Sequence, residues 1–288
     1  MIPFQFNKKS QKEKTACVEE YRVRLLARAK KEKVGELDWW CYAHLRYTFD
    51  QIIKMPYEKL ADLRKELYFR KVELPAHLKK YMIETLYKKH VPREYLIDCL
   101  GVTVCPYCNR AYINKISTHT VCQLDHFFDK SAYPIMAVSF YNLVPVCGTC
   151  NLIKKGQEIS YSPYDERFDS ADQLVEFGYL TDEEKALSGM KKVDAITICG
   201  KEKCAEDNIQ KLKLEEIYQI HSDIVQELLY KKKAYPTGYI DYLRRRCAGM
   251  RIDPGRLIIG NYTTPDSYEK RPLAKMMTDI GKKAGLLD

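Results

Sequence analysis

The sequence predicts a mostly helical α+β protein in which a cysteine-rich centre separates two helical regions. Apolar side chains recur at helical spacing through the first hundred residues, with prolines as breaks. This spacing is lost from Gly101 to about Gly156, where cysteine, proline, asparagine and β-branched residues dominate. It returns after about residue 208. We therefore expect a basic helical region at 1–100, a central module at 101–160 and a mainly helical region at 161–288.

Three helices are expected in the first region. Apolar groups from Leu37 to Ile53 recur at the spacing of one amphipathic helix, which Pro56 ends. Residues 57–71 and 77–90 show the same spacing, and prolines separate these segments from their neighbours.

The centre and the last region predict strands followed by helices. β-Branched residues favour short strands at 110–116 and 118–127. Helices are expected at 239–247 and 264–285. A further helical face is formed by Leu214, Ile217, His221, Ile224 and Leu228.

Composition places the chain among ordinary globular proteins. Hydrophobic residues make up 45% and charged residues 30% of its 288 residues. No apolar run reaches the roughly 18 residues that a membrane span needs. The first residues contain no apolar segment and no cleavage site typical of a signal peptide. We therefore expect a cytoplasmic protein without membrane contact.

Positive charge is concentrated in the first region. The net charge is +9, and residues 1–100 carry 22 Lys and Arg against 14 Asp and Glu. Residues 101–288 carry 26 against 25. This asymmetry favours an anionic partner. The alternative is that these charges, interleaved with acids at helical spacing, only solvate helix faces.

Two CxxC pairs carry the clearest metal signal. Eleven cysteines are present, and in a cytosolic protein we do not expect disulfides. Each pair places two thiolates around one tight turn, and two such turns supply the four soft ligands of a tetrahedral Zn²⁺. Binding of a structural zinc supplies on the order of 10 kcal/mol of folding free energy. The predicted ligands are Cys105, Cys108, Cys147 and Cys150.

The remaining cysteines do not fit this pattern. Cys199 and Cys204 form a looser CxxxxC, which we interpret as unpaired thiols rather than a second metal site. Cys122 lies near the polar centre of the module, and we expect it to be a packing residue.

Polar residues between and after the cysteine pairs suit phosphodiester hydrolysis. That reaction needs a base near neutral pH, which histidine supplies, and a hard cation held by oxygen ligands. Asp125, His126 and Asn151 provide this set. Neighbouring residues on a flat strand point to opposite faces. We therefore expect a bend or bulge near Asp125 and His126 that turns one of them.

The order of these residues resembles a known nuclease family. Asp125-His126, then Asn142-Leu143, then a CxxC directly followed by Asn151 and a downstream lysine is similar to the HNH, or ββα-metal, endonucleases. The layout is closest to their zinc-bearing branch, which includes phage endonuclease VII. The resemblance implies a central zinc-stapled ββα-metal module flanked by helical regions.

The resemblance also implies a role for each residue. His126 would be the general base, and Asp125 and Asn151 would hold a catalytic Mg²⁺ or Mn²⁺. Asn142 would orient the loop and the histidine through backbone hydrogen bonds, and the four cysteines would hold zinc. The third motif position is Asn151 rather than histidine, a departure that the family tolerates.

A narrower resemblance concerns defence against phages. Residues 124–134 and 139–145 are similar to the HNH effectors of Septu-type bacterial anti-phage systems, the PtuB-like nucleases. Residues 213–218 and 270–275 also resemble that group. Such effectors work with an ABC/AAA-like ATPase, which the resemblance implies as a partner here.

Basic residues in and beside the central module are candidates for contact with nucleic acid, in the first place double-stranded DNA. Helix N-termini and nearby lysines suit phosphate groups. For each residue, simple solvation of a surface charge is the alternative. The candidates are Lys154, Lys155, Lys130, Arg110 and Lys115.

These observations predict a metal-dependent endonuclease that hydrolyses phosphodiester bonds in DNA, as the effector of an anti-phage system. As the family implies, its products would carry 5′-phosphate and 3′-hydroxyl ends. One alternative is a toxin nuclease that cleaves RNA, which the motif does not exclude. Another is a zinc-stapled nucleic-acid-binding module without catalysis, which is disfavoured because base, metal ligands and middle asparagine are all present.

Overall fold

The structure, a computed structural model, describes residues 1–116, 119–182, 192–249, 253–261 and 263–288. It confirms a mostly helical α+β fold, because helices dominate and the strands form small two-stranded sheets. Within these described ranges, every helix is too short or too polar to cross a bilayer.

Helices account for most of the first hundred residues. They are α1 (Gln11–Leu26), α2 (Lys31–Leu45), α3 (Phe49–Lys54), α4 (Tyr57–Arg70), α5 (Ala76–Lys80), its π-helical continuation Tyr81–His90, and α6 (Arg93–Leu100).

The helix expected from Leu37 to Ile53 is divided in two. Helix α2 ends where Arg46 adopts a left-handed backbone with φ of 63°, and its amide donates to the carbonyl of Tyr42. Helix α3 begins directly after Thr48, its N-cap, whose side chain accepts from the amide of Gln51 in a capping box. The apolar face continues across the break, which explains why periodicity alone did not detect it. The helix expected at 57–71 is confirmed as α4 with a small change at its end. The helical segment expected at 77–90 consists of α5 and the π-helical stretch Tyr81–His90.

The centre contains short strands and one helix. The elements are β1 (Lys115–Ile116), β2 (His119–Thr120), β3 (Gln123–His126), β4 (Leu143–Val146) and α7 (Gly148–Lys154). The strand expected at 110–116 is reduced to β1 and an isolated bridge between Val104 and Tyr112. The strand expected at 118–127 begins at a residue outside the described ranges, and β2 and β3 replace the rest.

The last region contains a long hairpin that the sequence patterns did not predict. Strands β5 (Val175–Asp182) and β6 (Lys192–Gly200) pair antiparallel, with Val175 opposite Gly200. Helices follow as α8 (Lys203–Lys211), α9 (Leu214–Tyr218), α10 (Ser222–Ala234), α11 (Thr237–Arg246), α12 (Pro254–Ile258) and α13 (Ala274–Lys283). Of the helices expected here, 239–247 corresponds to α11 and 264–285 is shortened to α13. The face expected from Leu214 to Leu228 is divided between α9 and α10, with a 3-10 turn at Gln219–His221.

The chain divides into two compact units. Unit 1 consists of Met1–Ile2, Thr103–Tyr112 and Phe168–Asp288. Unit 2 consists of Pro3–Val102 and Ile113–Arg167. These units group the chain differently from the three predicted regions.

Each unit has its own buried residues. In unit 1, a hydrophobic cluster contains Ile2, Val104, Ala171, Tyr268 and Ala274. In unit 2, aromatic rings pack around Phe140, including those of Phe6, Tyr21 and Tyr164.

Candidate functional site

The four cysteines of the two CxxC pairs lie together. Their sulfur atoms are all within 4.8 Å of one another. Four ligands at a Zn–S distance of about 2.3 Å are separated from each other by roughly 3.8 Å in a tetrahedron. Cys105, Cys108, Cys147 and Cys150 therefore lie within metal-binding distance, and an all-thiolate donor set suits a soft or borderline ion.

The first CxxC pair sits in a tight turn. The amide of Asn109 donates to the carbonyl of Cys105 at 2.8 Å, and Asn109 adopts a left-handed backbone with φ of 53°. The amide of Arg110 points to the sulfur of Cys108 at 3.4 Å. Within unit 1, the side chain of Asn109 also donates to the carbonyl of Tyr268 at 3.0 Å. The turn is thus fixed by backbone and side-chain hydrogen bonds.

The second pair opens helix α7. Cys147 is the residue that precedes its first turn, and its carbonyl accepts from the amide of Asn151 at 3.2 Å. Asn151 follows Cys150 directly, so the helix fixes both a predicted zinc ligand and a predicted ligand of the catalytic metal.

A cavity of about 850 Å³ in unit 2 brings the predicted catalytic residues together. Asp125 and His126 of β3 line it, as does Asn151 of α7. Within the described ranges, strand β3 pairs only with β4. The hydroxyl of Tyr87 donates to the carbonyl of Leu124, and the ammonium of Lys154 donates to that of His126. Gln123 and Leu124 also line the cavity.

Of the bend or bulge expected near Asp125 and His126, the bulge is absent from the β3–β4 pair. Residues of β3 and β4 pair in continuous register from Gln123 opposite Val146 to His126 opposite Leu143. Both Asp125 and His126 line the cavity although the register contains no bulge.

His126 is held by two contacts. Its Nε2 lies 3.0 Å from the carbonyl oxygen of Ala137, and its ring packs edge-on against Tyr87 with centroids 4.4 Å apart. A carbonyl oxygen can only accept a hydrogen bond, so Nε2 must carry the proton of the ring. In the neutral imidazole, Nδ1 therefore keeps its lone pair. Burial lowers the pKa of His126 to about 3, and the charge of Lys130 acts in the same direction. The imidazole is therefore neutral at neutral pH.

Asn142 ties together the loop between β3 and β4. Its buried side chain accepts from the amide of Phe128 at 2.7 Å. It also donates to the carbonyls of Phe128 and Met136, at 3.1 and 3.0 Å. One side chain thus pairs three backbone groups of the loop, immediately beyond the strand that carries His126.

We expect Asn142→Ala to destabilise unit 2. It removes three hydrogen bonds and leaves buried backbone groups unpaired, at a cost of about 1–3 kcal/mol for each buried group. Chemical denaturation should show a lower free energy of unfolding, by at least about 2 kcal/mol. Asn114→Ala, at an exposed position, is the matched control. Equal stability of the two variants would contradict the role assigned to Asn142.

Lys154 is an interior residue, which corrects its assignment as a nucleic-acid contact. Only 1% of its surface is exposed. Its ammonium donates to Oδ1 of Asp125 at 3.1 Å and to the carbonyl of His126 at 2.9 Å. The sequence alone suggested a phosphate contact because Lys154 lies near the start of the helix that follows the second CxxC pair. The structure instead makes it a link between α7 and the end of β3.

Replacing Lys154 tests this link. Lys154→Met leaves the carboxylate of Asp125 without its buried cation, and breaking a buried ion pair on one side costs about 3–5 kcal/mol. Because water reaches Asp125 from the cavity, we expect a loss of about 3 kcal/mol in the free energy of unfolding. The neighbouring exposed variant Lys155→Met should change stability by less than about 0.5 kcal/mol. Urea unfolding of both variants measures the difference.

Gln123 is a site residue that sequence reasoning did not single out. Its side-chain oxygen accepts a short hydrogen bond from the amide nitrogen of Asn151. Because that bond engages the side-chain nitrogen of Asn151, its side-chain oxygen is left as the candidate metal ligand. Gln123 lies two residues before Asp125 in the sequence. That it holds the side chain of Asn151 on α7 is visible only in the folded structure.

Arg93 is a second missed residue. It lines the cavity, and its guanidinium lies 5.4 Å from the ring centroid of Tyr87. The ammonium of Lys130 lies 5.5 Å from the same ring. Lys155 also lines the cavity and is exposed. Against these three cations, the cavity presents the carboxylates of Asp125 and Asp129. No motif connects Arg93 to the site, since it stands at the start of helix α6.

The two remaining predicted cations do not line this cavity. Lys115 is exposed and pairs with Asp98, with its ammonium 2.7 Å from Oδ1. Arg110 donates to Nε2 of His221 at 3.0 Å within unit 1, and its guanidinium lies 5.5 Å from the ring of Tyr218. Both have protein partners, and their contact with nucleic acid stays a prediction.

In comparisons with family models, curated proteins and solved structures, the chain has no match.

Proposed function

We propose that this protein is a zinc-stapled HNH endonuclease that hydrolyses phosphodiester bonds in DNA with one Mg²⁺ or Mn²⁺. The observation that carries the proposal is the shared cavity, which is lined by Asp125, His126 and Asn151. A neutral histidine, two oxygen donors and three cations around one open space suit a metal-dependent attack on a polyanion.

The donor chemistry supports two different metals. Four thiolates within 4.8 Å of one another suit a structural zinc. The carboxylate of Asp125 and the amide oxygen of Asn151 are hard donors, which suit Mg²⁺ or Mn²⁺. When bound there, such a cation would neutralise charge on the phosphate and on the departing 3′ oxygen.

The chain's own residues divide the remaining work. His126 accepts the proton of the attacking water at Nδ1, while the carbonyl of Ala137 holds Nε2. Arg93, Lys130 and Lys155 attract and position the phosphate backbone from the cavity wall. Lys154 holds Asp125, and Gln123 holds Asn151, so the two oxygen donors are fixed before substrate binds.

Cleavage assays test this proposal. Purified protein is incubated with supercoiled plasmid, single-stranded DNA and RNA, in metal-free buffer and after addition of Mg²⁺ or Mn²⁺. Omitting the metal is preferable to chelation, because a chelator also removes structural zinc. We expect metal-dependent DNA cleavage that leaves 5′-phosphate ends. Cleavage of RNA alone would favour a toxin nuclease, and binding without any cleavage would favour a non-catalytic module.

We further propose that the nuclease acts as the effector of an anti-phage system together with an ABC/AAA-like ATPase. Support comes from the resemblance of residues 124–134 and 139–145 to Septu-type effectors. Co-expression with an ATPase encoded beside it should protect bacteria from phage infection, and Asp125→Ala should remove that protection. Equal plaque numbers with and without the pair would contradict the defence role.

A further inference from the structure

Helices α10 and α11 present a row of exposed aromatic rings. Tyr235 directly follows α10, and Tyr239 and Tyr242 lie on α11. The exposed fractions of the three residues are 37%, 47% and 48%. Ring centroids are 6.0 Å apart for the first pair and 6.2 Å for the second, with interplanar angles of 31° and 29°. We call Tyr235, Tyr239, Tyr242 and Arg246 the tyrosine stripe.

The stripe faces away from the interior of unit 1. Tyr239, Tyr242 and Arg246 stand at i, i+3 and i+7, which places them on one face of α11. The buried Ile240 anchors the helix from another face. Three half-exposed rings in succession are unusual on a helix whose apolar anchor already lies elsewhere, because stacked tyrosines contribute little to the core from the outside.

Positive charge accompanies the rings. Acidic residues near the end of α11 are engaged by Arg244, which pairs with Asp241 and Asp253. Lys233, Arg245 and Arg246 are exposed, and in the described ranges no ion pair is recorded for them. The surface therefore combines flat aromatic faces with exposed cations.

We propose that the tyrosine stripe binds a single-stranded segment of nucleic acid by base stacking, with Arg245, Arg246 and Lys233 as phosphate contacts. Aromatic rings beside a basic track are the arrangement by which proteins hold single strands without reading sequence. Three successive rings offer stacking faces for up to three bases. An acidic peptide would satisfy the cations but offer no flat partner to three successive rings.

This site is separate from the nuclease cavity and rests on the proposed function only in that both act on nucleic acid. Binding can be measured without added divalent metal, when no cleavage occurs. A protein that cleaves nothing can still bind through the stripe. Equally, an active nuclease whose binding ignores the stripe would overturn this inference and leave the nuclease proposal intact.

The test uses fluorescence anisotropy of labelled oligothymidylate, oligouridylate and a DNA duplex, each with the full-length protein. Loss of one stacked base costs about tenfold in affinity. The double variant Tyr239→Ala/Tyr242→Ala should therefore bind single strands at least about tenfold more weakly. Tyr239→Phe/Tyr242→Phe keeps the rings and should retain affinity. Tyr230→Ala, an exposed tyrosine of α10 outside the stripe, is the matched control.

Two further readouts separate stacking from simple charge attraction. Tyr239→Trp should show quenched indole fluorescence on binding oligothymidylate, because the base stacks on the ring. Arg245→Gln/Arg246→Gln should reduce the dependence of affinity on salt. A preference for oligouridylate over oligothymidylate would identify RNA as the ligand. The proposal is overturned if the alanine pair binds as tightly as the wild type, if it weakens only duplex binding, or if its sole effect is on self-association or on adsorption to anionic vesicles.

Discussion

His126→Ala should lower the rate of DNA cleavage by about 10²- to 10⁴-fold while leaving DNA affinity nearly unchanged. The reason is that Nδ1 of His126 is the nitrogen available to accept a proton, since Nε2 is held by the carbonyl of Ala137. Single-turnover cleavage of a labelled duplex at saturating Mg²⁺ measures the chemical step, and anisotropy without metal measures binding.

Two further variants and the addition of imidazole distinguish the loss of a general base from a disturbance of the fold. His126 packs against Tyr87, so alanine leaves a hole as well as removing the base. His126→Gln fills more of that space but cannot accept a proton, and it should be equally inactive. Added imidazole should restore part of the activity of His126→Ala by entering the vacated space. His77→Ala, at an exposed histidine of unit 2, should cleave normally. Wild-type rates for His126→Ala would remove the histidine from the proposed mechanism.

The sequence supplied the reacting groups of this site but not their surroundings. Asp125, His126 and Asn151 were recognisable because residue type and spacing reflect chemical need, and they line one cavity. Arg93 and Tyr87 reach that cavity from helices more than thirty residues upstream. Their positions depend on how those helices pack, which no local pattern records.

Charge and periodicity predicted which face of a helix is apolar. They did not predict how deeply a single side chain is buried or where one helix is interrupted. Lys154 has the sequence context of a surface lysine, but its ammonium is buried between Asp125 and the carbonyl of His126. The β5–β6 hairpin was missed, although buried residues of β6 such as Ile196 and Ile198 alternate with less buried ones. Between two helical regions, nine residues of weak alternation carried too little signal to predict a strand.

Replacing one cysteine of the four-sulfur cluster should have the largest effect on folding. We expect about one zinc ion for each chain, and substantial loss of it in Cys108→Ser or Cys150→Ser. Structural zinc contributes on the order of 10 kcal/mol, which is comparable to the whole stability of a typical domain. Elemental analysis and thermal unfolding of the purified proteins measure zinc content and stability. Cys199→Ser, at an exposed cysteine outside the cluster, should retain both.

Comparing zinc content with Mg²⁺ activation in two variants distinguishes a structural zinc from a catalytic metal. Cys150 and Asn151 are consecutive on α7, and the amide of Asn151 is held by the carbonyl of Cys147. Removing zinc should therefore also weaken Mg²⁺ activation, because the oxygen of Asn151 loses its position. In contrast, Asn151→Ala should raise the Mg²⁺ concentration needed for cleavage without lowering zinc content. If Cys150→Ser kept its zinc, its stability and its Mg²⁺ dependence, the cluster would not be the scaffold of this site.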